Sequence, residues 1–236
     1  MSIYSISDLH LPLGVNKPMN IFGKSWENYV YKTEKNWKNL ICDDDWVILP
    51  GDFSWATYLE ESTADFEFLN SLPGKKILLK GNHDYWWTSL KKLEEFTSAK
   101  GFKNIFFLHN NAFLCGDTAV CGTRGWVYTD ENSDDEDRKI YAREVIRLEL
   151  SVKQALKFNA SEIIAFTHYP PLQHGNTETP ITELLKNYGI NRCFYGHLHA
   201  AGHKNAVTGT VAGIYYNLVS CDYLEFCPRI IVKNFK

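Results

Sequence analysis

Short apolar runs that end on polar side chains are the feature of this sequence that most restricts its fold. The clearest example is the apolar run at residues 77–79, which lies between lysines and is typical of a buried strand. An amide, an imidazole and a carboxylate follow it, at Asn82, His83 and Asp84. Burying polar groups costs free energy unless a partner satisfies them. The pattern therefore predicts that a metal ion and a charged ligand bind at the end of this strand.

Four further apolar runs are followed by polar residues of the same kinds. The runs at residues 3–7, 46–50, 162–167 and 192–195 are followed by Asp8 and His10, by Asp52, by His168, and by His197 and His199. In open α/β sheets the carboxyl ends of the strands line the ligand crevice, so all five groups can converge on one site. Asp8 and His10 are two residues apart, as are His197 and His199, and residues at that spacing in an extended segment point the same way.

Candidate helices separate the first strands. Helical spacing of apolar residues predicts helices over 25–41, 59–69 and 88–98 and, later in the chain, a long helix that ends near 158 and a short one over 180–188. Ser133 and Glu136 fit a capping box that would start the long helix. Residues 11–24 form a predicted loop, since two prolines and two glycines interrupt them. The alternation of strands and helices predicts an α/β fold with parallel strands.

The pattern changes after the third predicted helix. Short neighbouring strands are predicted at 104–109, 112–115 and 118–121, and residues 203–235 are predicted to be rich in strands, with 211–219 and 229–232 the clearest. These later strands indicate a second, more mixed sheet. Because no repeat, linker or low-complexity segment interrupts the chain, we interpret residues 1–236 as a single domain.

Composition and charge exclude several classes of function. The net charge of −3 offers no basic field for nucleic acid, and we predict no dedicated nucleic-acid-binding region. No apolar run is long enough to span a bilayer and no signal peptide is visible, so no membrane association is expected. The six cysteines are scattered without a CxxC pair, which is typical of free thiols in a reducing compartment. We therefore predict a cytoplasmic protein.

The polar residues at the strand ends have the chemistry of metal ligands. They include four histidines, two aspartates and one asparagine, without a thiolate. Imidazole, carboxylate and amide donors suit Mn, Fe or Zn. They are too many for one ion but suit two ions that share a carboxylate, about 3.5–4 Å apart, a geometry that clamps a phosphate during in-line displacement. Water bridging two such ions becomes hydroxide near neutral pH. No serine or cysteine nucleophile is then needed, and no GxSxG motif is present.

Taken in order, the sequences DLH, GD, GNHD, a lone histidine after a strand, and GHLH resemble the motifs of the calcineurin-like metallophosphoesterase family. The resemblance spans residues 8–199. It implies an α/β fold, a four-layer α/β/β/α sandwich of two mixed β-sheets flanked by helices, with two divalent metal ions (Mn, Fe or Zn) between the strand ends. The stretches KPMNIFGKSWENY, CGTRGW and HYPP are similar to those of a bacterial subgroup of predicted phosphohydrolases without an assigned substrate.

The resemblance also implies a role for each site residue. The first metal ion would be held by Asp8, His10 and His199, the second by Asn82, His168 and His197, and both by Asp52. His83 would stabilise the phosphoryl oxygens or protonate the leaving oxygen as a general acid, and Asp84 could orient its imidazole. The implied activity is hydrolysis of a phosphomonoester or a phosphodiester by the hydroxide that bridges the metals.

Departures from the family pattern bear on the substrate. Ser/Thr protein phosphatases of the family carry a second aspartate and an arginine shortly after the GD motif, and the run GDFSWA at 51–56 lacks both. Lys80 stands where they place an arginine before GNH. We therefore expect a small phosphorylated substrate rather than a protein.

Two residues outside the motifs are candidates for substrate binding. Arg124, in the loop CGTRGW, can offer a fork to a phosphate or form a structural salt bridge. His174 follows His168 within a loop that contains proline and glycine, and it can reach toward a substrate from there.

Two other functions fit parts of the pattern. Some relatives of this family serve as non-catalytic protein-interaction scaffolds on the same fold, although every metal position is filled in this chain. A zinc hydrolase that acts on a non-phosphate substrate would be expected to carry an HxHxDH motif, which this sequence lacks.

Overall fold

Strands and helices alternate along most of the chain. A computed structural model describes residues 1–233, which contain eleven strands and five α-helices. The strands are β1 (Ile3–Ser5), β2 (Trp46–Pro50), β3 (Lys75–Leu79), β4 (Ile105–Leu108), β5 (Phe113–Cys115), β6 (Thr118–Thr123), β7 (Glu162–Thr167), β8 (Arg192–Tyr195), β9 (Gly209–Val211), β10 (Ile214–Leu218) and β11 (Arg229–Val232). The helices are α1 (Tyr29–Leu40), α2 (Thr63–Ser71), α3 (Leu90–Ala99), α4 (Asp135–Ala155) and α5 (Pro180–Asn187).

The strands form two sheets. The first has the order β11-β1-β2-β3-β4 and the second the order β5-β6-β7-β8-β10-β9. Neighbouring strands are parallel except where β11 pairs with β1, β5 with β6 and β9 with β10. Both sheets are therefore mixed, with the antiparallel strands at their edges.

Three apolar cores separate four layers. One lies between the first sheet and its helices, one between the second sheet and its helices, and one between the two sheets. Successive side chains of a strand point to opposite faces of the sheet, so the residues of one strand contribute to two cores. Val47 faces the helices whereas Ile48 faces the other sheet, and Ala165 and Ile164 divide in the same way. Burying one such Val or Ile side chain contributes roughly 1.5–3 kcal/mol. The predicted α/β/β/α sandwich of two mixed sheets is confirmed.

The first long loop is more ordered than predicted. Two 3-10 turns, Met19–Phe22 and Lys24–Trp26, occupy its second half. Helix α1 consequently begins at Tyr29 rather than near residue 25, after Asn28, which adopts a left-handed φ of 54°. The predicted start of this helix was wrong because the apolar side chain of Trp26 belongs to the preceding turn.

Two other local predictions need correction. Asp134, rather than Ser133, caps helix α4, accepting from the Glu136 N–H at 2.7 Å, while Ser133 hydrogen-bonds with Asp130. The predicted strand over 211–219 is broken by a turn between β9 and β10. Residues 234 and 235 of the region predicted to be rich in strands lie outside the described residues.

The cysteines are unpaired. All six are free, and four of them (Cys115, Cys121, Cys193 and Cys221) are buried. Between residues 1 and 233, no helix combines the length and the apolar character needed to cross a membrane.

The topology brings five strand ends together. β1, β2 and β3 run parallel in one sheet, as do β7 and β8 in the other. A parallel bridge between Ser7 and Ser220 joins the two sheets just beyond the end of β1. The carboxyl ends of all five strands therefore meet in one crevice.

Candidate metal centre

The first group of predicted ligands lies together at the ends of β1 and β8. His199 Nε2 is 3.3 Å from Asp8 Oδ1 and 3.3 Å from His10 Nε2. Asp8 and His10 are buried, and 27% of the His199 side chain is exposed, so the group can be reached from solvent. These three donors converge as the sequence predicted.

The second group lies at the ends of β3, β7 and β8. Asn82 Oδ1 is 2.6 Å from His168 Nε2 and 2.9 Å from His197 Nδ1. The Nδ1 atom of His168 is 3.0 Å from the carbonyl of Pro50, to which its N–H donates, so Nε2 carries the lone pair. Three donor atoms therefore face one another without a carboxylate among them.

Asp52 lies between the two groups. Its Oδ2 atom is 3.7 Å from His10 Nε2 and 3.5 Å from His168 Nε2. Its other oxygen, Oδ1, accepts from the backbone N–H of His83 at 2.8 Å, which fixes the carboxylate. One oxygen thus lies within 4 Å of a histidine from each group.

Two overlapping sets of carboxylate and imidazole donors have the spacing of a metal site. Within each set, the donor atoms lie within 4.8 Å of one another, and the sets are Asp8 with His10 and His199, and Asp8 with Asp52 and His168. The closest approach of Asp8 to His168 is at Nδ1, at 3.9 Å, and this atom already donates to Pro50. We therefore pair His168 with Asn82 and Asp52 rather than with Asp8.

The charge states suit metal ligands. Burial lowers the pKa of His10 and of His168 to about 3, so both imidazoles are neutral at pH 7 and can bind an ion. Burial would raise the pKa of Asp8, but the hydrogen bond and the charge of His199 hold it well below its usual range. Burial, followed by the charges of Asp84 and Asp8, raises the pKa of Asp52 well above its usual value. Positive charge at this position would relieve that repulsion.

His199 shows most directly that the site fits a cation. Its Nδ1–H donates to Asp222 Oδ1 at 2.8 Å, which turns Nε2 toward Asp8 and His10. Burial opposes a charge on His199, yet hydrogen bonds with Asp222 and Asp8 raise its pKa to about 10. The surroundings thus favour positive charge at Nε2, which a proton or a metal ion can supply.

Several expected ligands have an unusual backbone conformation. Asp8, His10, Asp52 and His197 have φ angles of 59°, 46°, 52° and 74°. Residues with a Cβ rarely adopt this left-handed region, and such strain clusters at functional sites. These four residues lie just after the ends of β1, β2 and β8, where the chain turns sharply and directs each side chain into the crevice.

Glycines beside the ligands serve two purposes. Gly51 has a φ of 96°, and a Cβ there would lie 2.6 Å from His168 Nδ1. Gly81 does not have a positive φ, but a Cβ on it would collide with the Asp52 carboxylate. The backbone thus turns sharply at Gly51, whereas Gly81 is needed for space.

His83 is placed beside the first group of ligands. It is half-buried, and its ring centroid lies 5.7 Å from that of His10 and 4.8 Å from that of Trp55. Burial lowers the pKa of its imidazole. With Met19, Phe22, Trp26 and other neighbours it lines an apolar cavity of about 290 Å³ that opens beside the ligands.

Asp84 has a structural role instead of the expected contact with the His83 ring. Its buried carboxylate accepts hydrogen bonds from the N–H groups of Asp52 (2.9 Å), Phe53 (2.9 Å), Ser54 (3.4 Å) and Gly81 (2.7 Å) and from the Trp86 indole (3.0 Å). Five donors fill the roughly four lone-pair sites of a carboxylate. Asp84 therefore ties the loop after β2 to the loop after β3.

The two candidate substrate-binding residues lie apart. Arg124 lies next to the metal centre, since its carbonyl accepts from His168 N–H at 3.1 Å, and its guanidinium is 3.6 Å from the Glu144 carboxylate. His174 is exposed and lines a separate depression with Leu172 and neighbouring residues, none of which is an expected ligand. Of the two, only Arg124 adjoins the centre.

Sequence reasoning missed two supports of the first group. Asp222 orients His199, and Ser220 donates to Asp8 Oδ2 at 3.0 Å. Both follow strand β10, so the rule that polar residues mark strand ends would have found them.

Comparisons with known proteins agree with this geometry. A family model described as calcineurin-like phosphoesterase matches residues 1–201. Similar solved structures include the protein of unknown function AQ665 from Aquifex aeolicus, with a TM-score of 0.51 and 16% identity over 97% of this chain and 95% of that one. TT1561 of Thermus thermophilus has a TM-score of 0.53 and 16% identity over 84% of this chain and 81% of that one. At these identities the likeness shows the fold alone. No curated protein matches the chain.

Proposed function

The chain belongs to the calcineurin-like phosphoesterase family, and from that premise we propose that it hydrolyses a small phosphorylated substrate with the help of two divalent metal ions. The observation that carries this proposal is the position of Asp52. One of its oxygens lies 3.7 Å from His10 and 3.5 Å from His168, two neutral imidazoles that belong to different ligand groups. A shared carboxylate between two ligand groups is typical of two-metal phosphoryl chemistry.

The donor set supports a choice of metals and ligands. Asp8, His10 and His199 would hold the first ion, Asn82, His168 and His197 the second, and Asp52 both. Imidazole, carboxylate and amide donors favour Mn, Fe or Zn. When bound, such ions supply a nucleophile from water at neutral pH and offset the charge of the phosphoryl group.

His83 is the side chain best placed to handle the leaving group. The reaction adds water at phosphorus and breaks the ester P–O bond, and the departing oxygen must gain a proton. The backbone contact of His83 with Asp52 holds it beside the ligands, while its half-buried ring faces the apolar cavity. In its protonated form, the imidazole would donate to that oxygen or to a phosphoryl oxygen.

The same cavity supports a preference in the leaving group. Met19, Phe22, Trp26 and Trp55 give it an apolar wall next to His83. A cavity of about 290 Å³ accommodates an aryl group or a group of similar size. Monoesters and diesters both place their leaving group there, so the test includes both.

Metal-dependent hydrolysis tests the proposal. Protein stripped by a chelator is assayed with 4-nitrophenyl phosphate and with bis(4-nitrophenyl) phosphate after Mn, Fe, Zn or Mg is added back. We expect restored activity in the wild type and none in Asp52→Ala. Asp117→Asn, which changes an exposed carboxyl group in the turn before β6, at the opposite end of that strand from Arg124, serves as the control and keeps its activity.

The alternative is a non-catalytic interaction scaffold on the same fold. It predicts neither hydrolysis nor two bound ions in elemental analysis of the purified protein. Two bound ions without turnover of either ester would instead indicate a narrower substrate range and would leave the scaffold without support.

We also propose a cytoplasmic location. The six free cysteines support it, since disulfides are rare in reducing compartments. Fractionation of cells that produce the protein would test this location.

A further inference from the structure

A second cavity, of about 230 Å³, opens at the same edge of the two sheets. It lies where the ends of β3, β4 and β6 approach helix α4. Four cationic side chains line it, from Lys80, Arg124, Arg143 and Arg147, and we call this cavity the basic pocket. Glu144 is the only carboxylate among its lining residues.

The basic pocket adjoins the metal centre. Lys80 precedes the expected ligand Asn82 by two residues, so their Cα atoms are at most about 7.6 Å apart. Arg124 follows β6, and its carbonyl accepts from the N–H of His168 at 3.1 Å. The pocket thus continues the crevice that holds the ligands.

Glu144 neutralises only part of the charge. This buried carboxylate contacts Arg147 Nη1 at 2.7 Å and Arg124 Nη2 at 3.6 Å. Its other oxygen accepts from the Thr123 hydroxyl at 2.6 Å. One negative charge therefore faces four positive ones.

The remaining donors have no acceptor in the part of the chain that the structure describes. The side chains of Lys80 and Arg143 make no hydrogen bond or ion pair there; Lys80 is half-buried, whereas Arg143 is exposed. Arg124 Nε is buried without a partner, while the guanidinium carbon lies 4.5 Å from the centroid of the Trp126 ring, which holds the group in place. Unsatisfied, partly desolvated cations such as Lys80 and Arg124 are costly, and an anion would satisfy them while it also attracts the exposed Arg143.

We infer that the basic pocket binds a phosphoryl group other than the one that is hydrolysed. A tetrahedral dianion offers acceptors in several directions, which suits an ammonium and arginine forks that converge from two sheets and a helix. The group can belong to a substrate that carries two phosphoryl groups, or it can be free inorganic phosphate. The first source rests on the proposed function, whereas the second does not.

A graded series of substrates tests the first source. The ratio of kcat/KM for α,ω-alkanediol bisphosphates to that for the matching monophosphates is measured as the chain is lengthened. We expect a preference of about tenfold or more at one chain length, since hydrogen bonds to charged groups contribute at that level. The preference should fall toward one in Lys80→Met and in Arg143→Met. Lys139→Met removes an exposed charge from the same helix outside the pocket and should retain the preference.

Calorimetric titration with inorganic phosphate tests the second source. A chelator is present throughout, so phosphate cannot bind through metal ions. Binding by the wild type and by Lys139→Met, but not by Lys80→Met or Arg143→Met, would support the pocket even without a bisphosphate preference. The inference is overturned if, in both experiments, Lys80→Met and Arg143→Met give the same result as the wild type and Lys139→Met. A wild type that hydrolyses neither monoesters nor diesters and binds no metal ion would contradict the proposed function, while the titration would still test the pocket.

Discussion

The Nε2 atoms of His10 and His199 lie 3.3 Å apart, and Asp8 Oδ1 is 3.3 Å from the second of them. Because His199 Nδ1–H donates to Asp222, its Nε2 points toward two other acceptors. Without a metal ion, only a proton can relieve the repulsion between these facing acceptor atoms. A metal ion satisfies all three donors at once.

Metal removal should therefore lower the stability of the folded protein. A ligand at a hundred times its Kd stabilises the folded state by about 2.7 kcal/mol. In a chain of this length that corresponds to a Tm about 5–11 °C higher. Thermal unfolding with a chelator, and then with excess Mn, measures the shift. Equal Tm values in the two conditions would contradict the assignment of the centre.

Asp222→Asn should weaken metal binding without removing a ligand. The Asp222 carboxylate sets the orientation of His199 through a 2.8 Å hydrogen bond, and it accepts from Ala200 N–H at 3.0 Å. Loss of such an orienting group typically costs 10–100-fold in metal affinity. Competition with a coloured chelator measures the change. An unchanged affinity would show that His199 does not depend on this contact.

His83→Ala should separate catalysis from metal binding. No expected ligand is lost, so the metal content should match that of the wild type. Loss of a general acid should lower kcat by about 10²–10⁴-fold. Tyr85→Ala, which removes an exposed ring 6.2 Å from the His83 ring, is the matched control and should have a much smaller effect. Turnover by His83→Ala at the wild-type rate would rule out the proton-donor role.

Asp84→Asn should destabilise the fold. The amide would place N–H donors against backbone N–H groups of Asp52 and Gly81, or of Phe53, that now donate to the carboxylate. Leaving such buried groups unsatisfied should cost about 2–4 kcal/mol. Denaturant titration measures the loss. The exposed variant Asp117→Asn should change the free energy of unfolding by less than about 0.5 kcal/mol, and an equally small change in Asp84→Asn would refute the structural role.

Asp65 should make stability depend on pH. Burial raises its pKa to about 7, against hydrogen bonds from Ser54 and Leu13 that lower it. The unfolded carboxyl titrates near 3.8. Between these values the folded state binds the extra proton, so this contribution to stability is complete below pH 3.8 and is lost as the pH rises through about 7.

Asp65→Asn isolates that contribution. The amide carries no charge, so the free energy of unfolding of the variant should improve relative to the wild type by about 1–3 kcal/mol between pH 5 and pH 8. Denaturant titrations of both proteins at the two pH values measure the difference. A gap between the two proteins that stays the same at both pH values would show that Asp65 ionises in the folded state as it does in the unfolded chain.

Local sequence patterns predicted the ligands better than the element boundaries. Asp8 lies three residues after the end of β1 and Asp52 two residues after the end of β2, and parallel strands must present such residues at one edge. Helix α1 began later than expected because an apolar residue at helical spacing, Trp26, packs from a separate turn. The spacing of apolar residues indicates which of them lie on the same face, but it does not show whether the chain between them remains helical.

Apolar alternation and strand ends are local properties, so the amino-acid sequence by itself determined the α/β class, a second, more mixed sheet and the identities of the residues that surround Asp52. The four-layer arrangement followed from the resemblance of the motifs to a known family. Only the tertiary structure decided that Asp84 serves the backbone and that Asp222 orients His199. It also placed Lys80 beside Arg143, more than sixty residues away, in the basic pocket. These pairings depend on how two sheets and a helix pack against one another. The spacing of residues along the chain does not predict that packing.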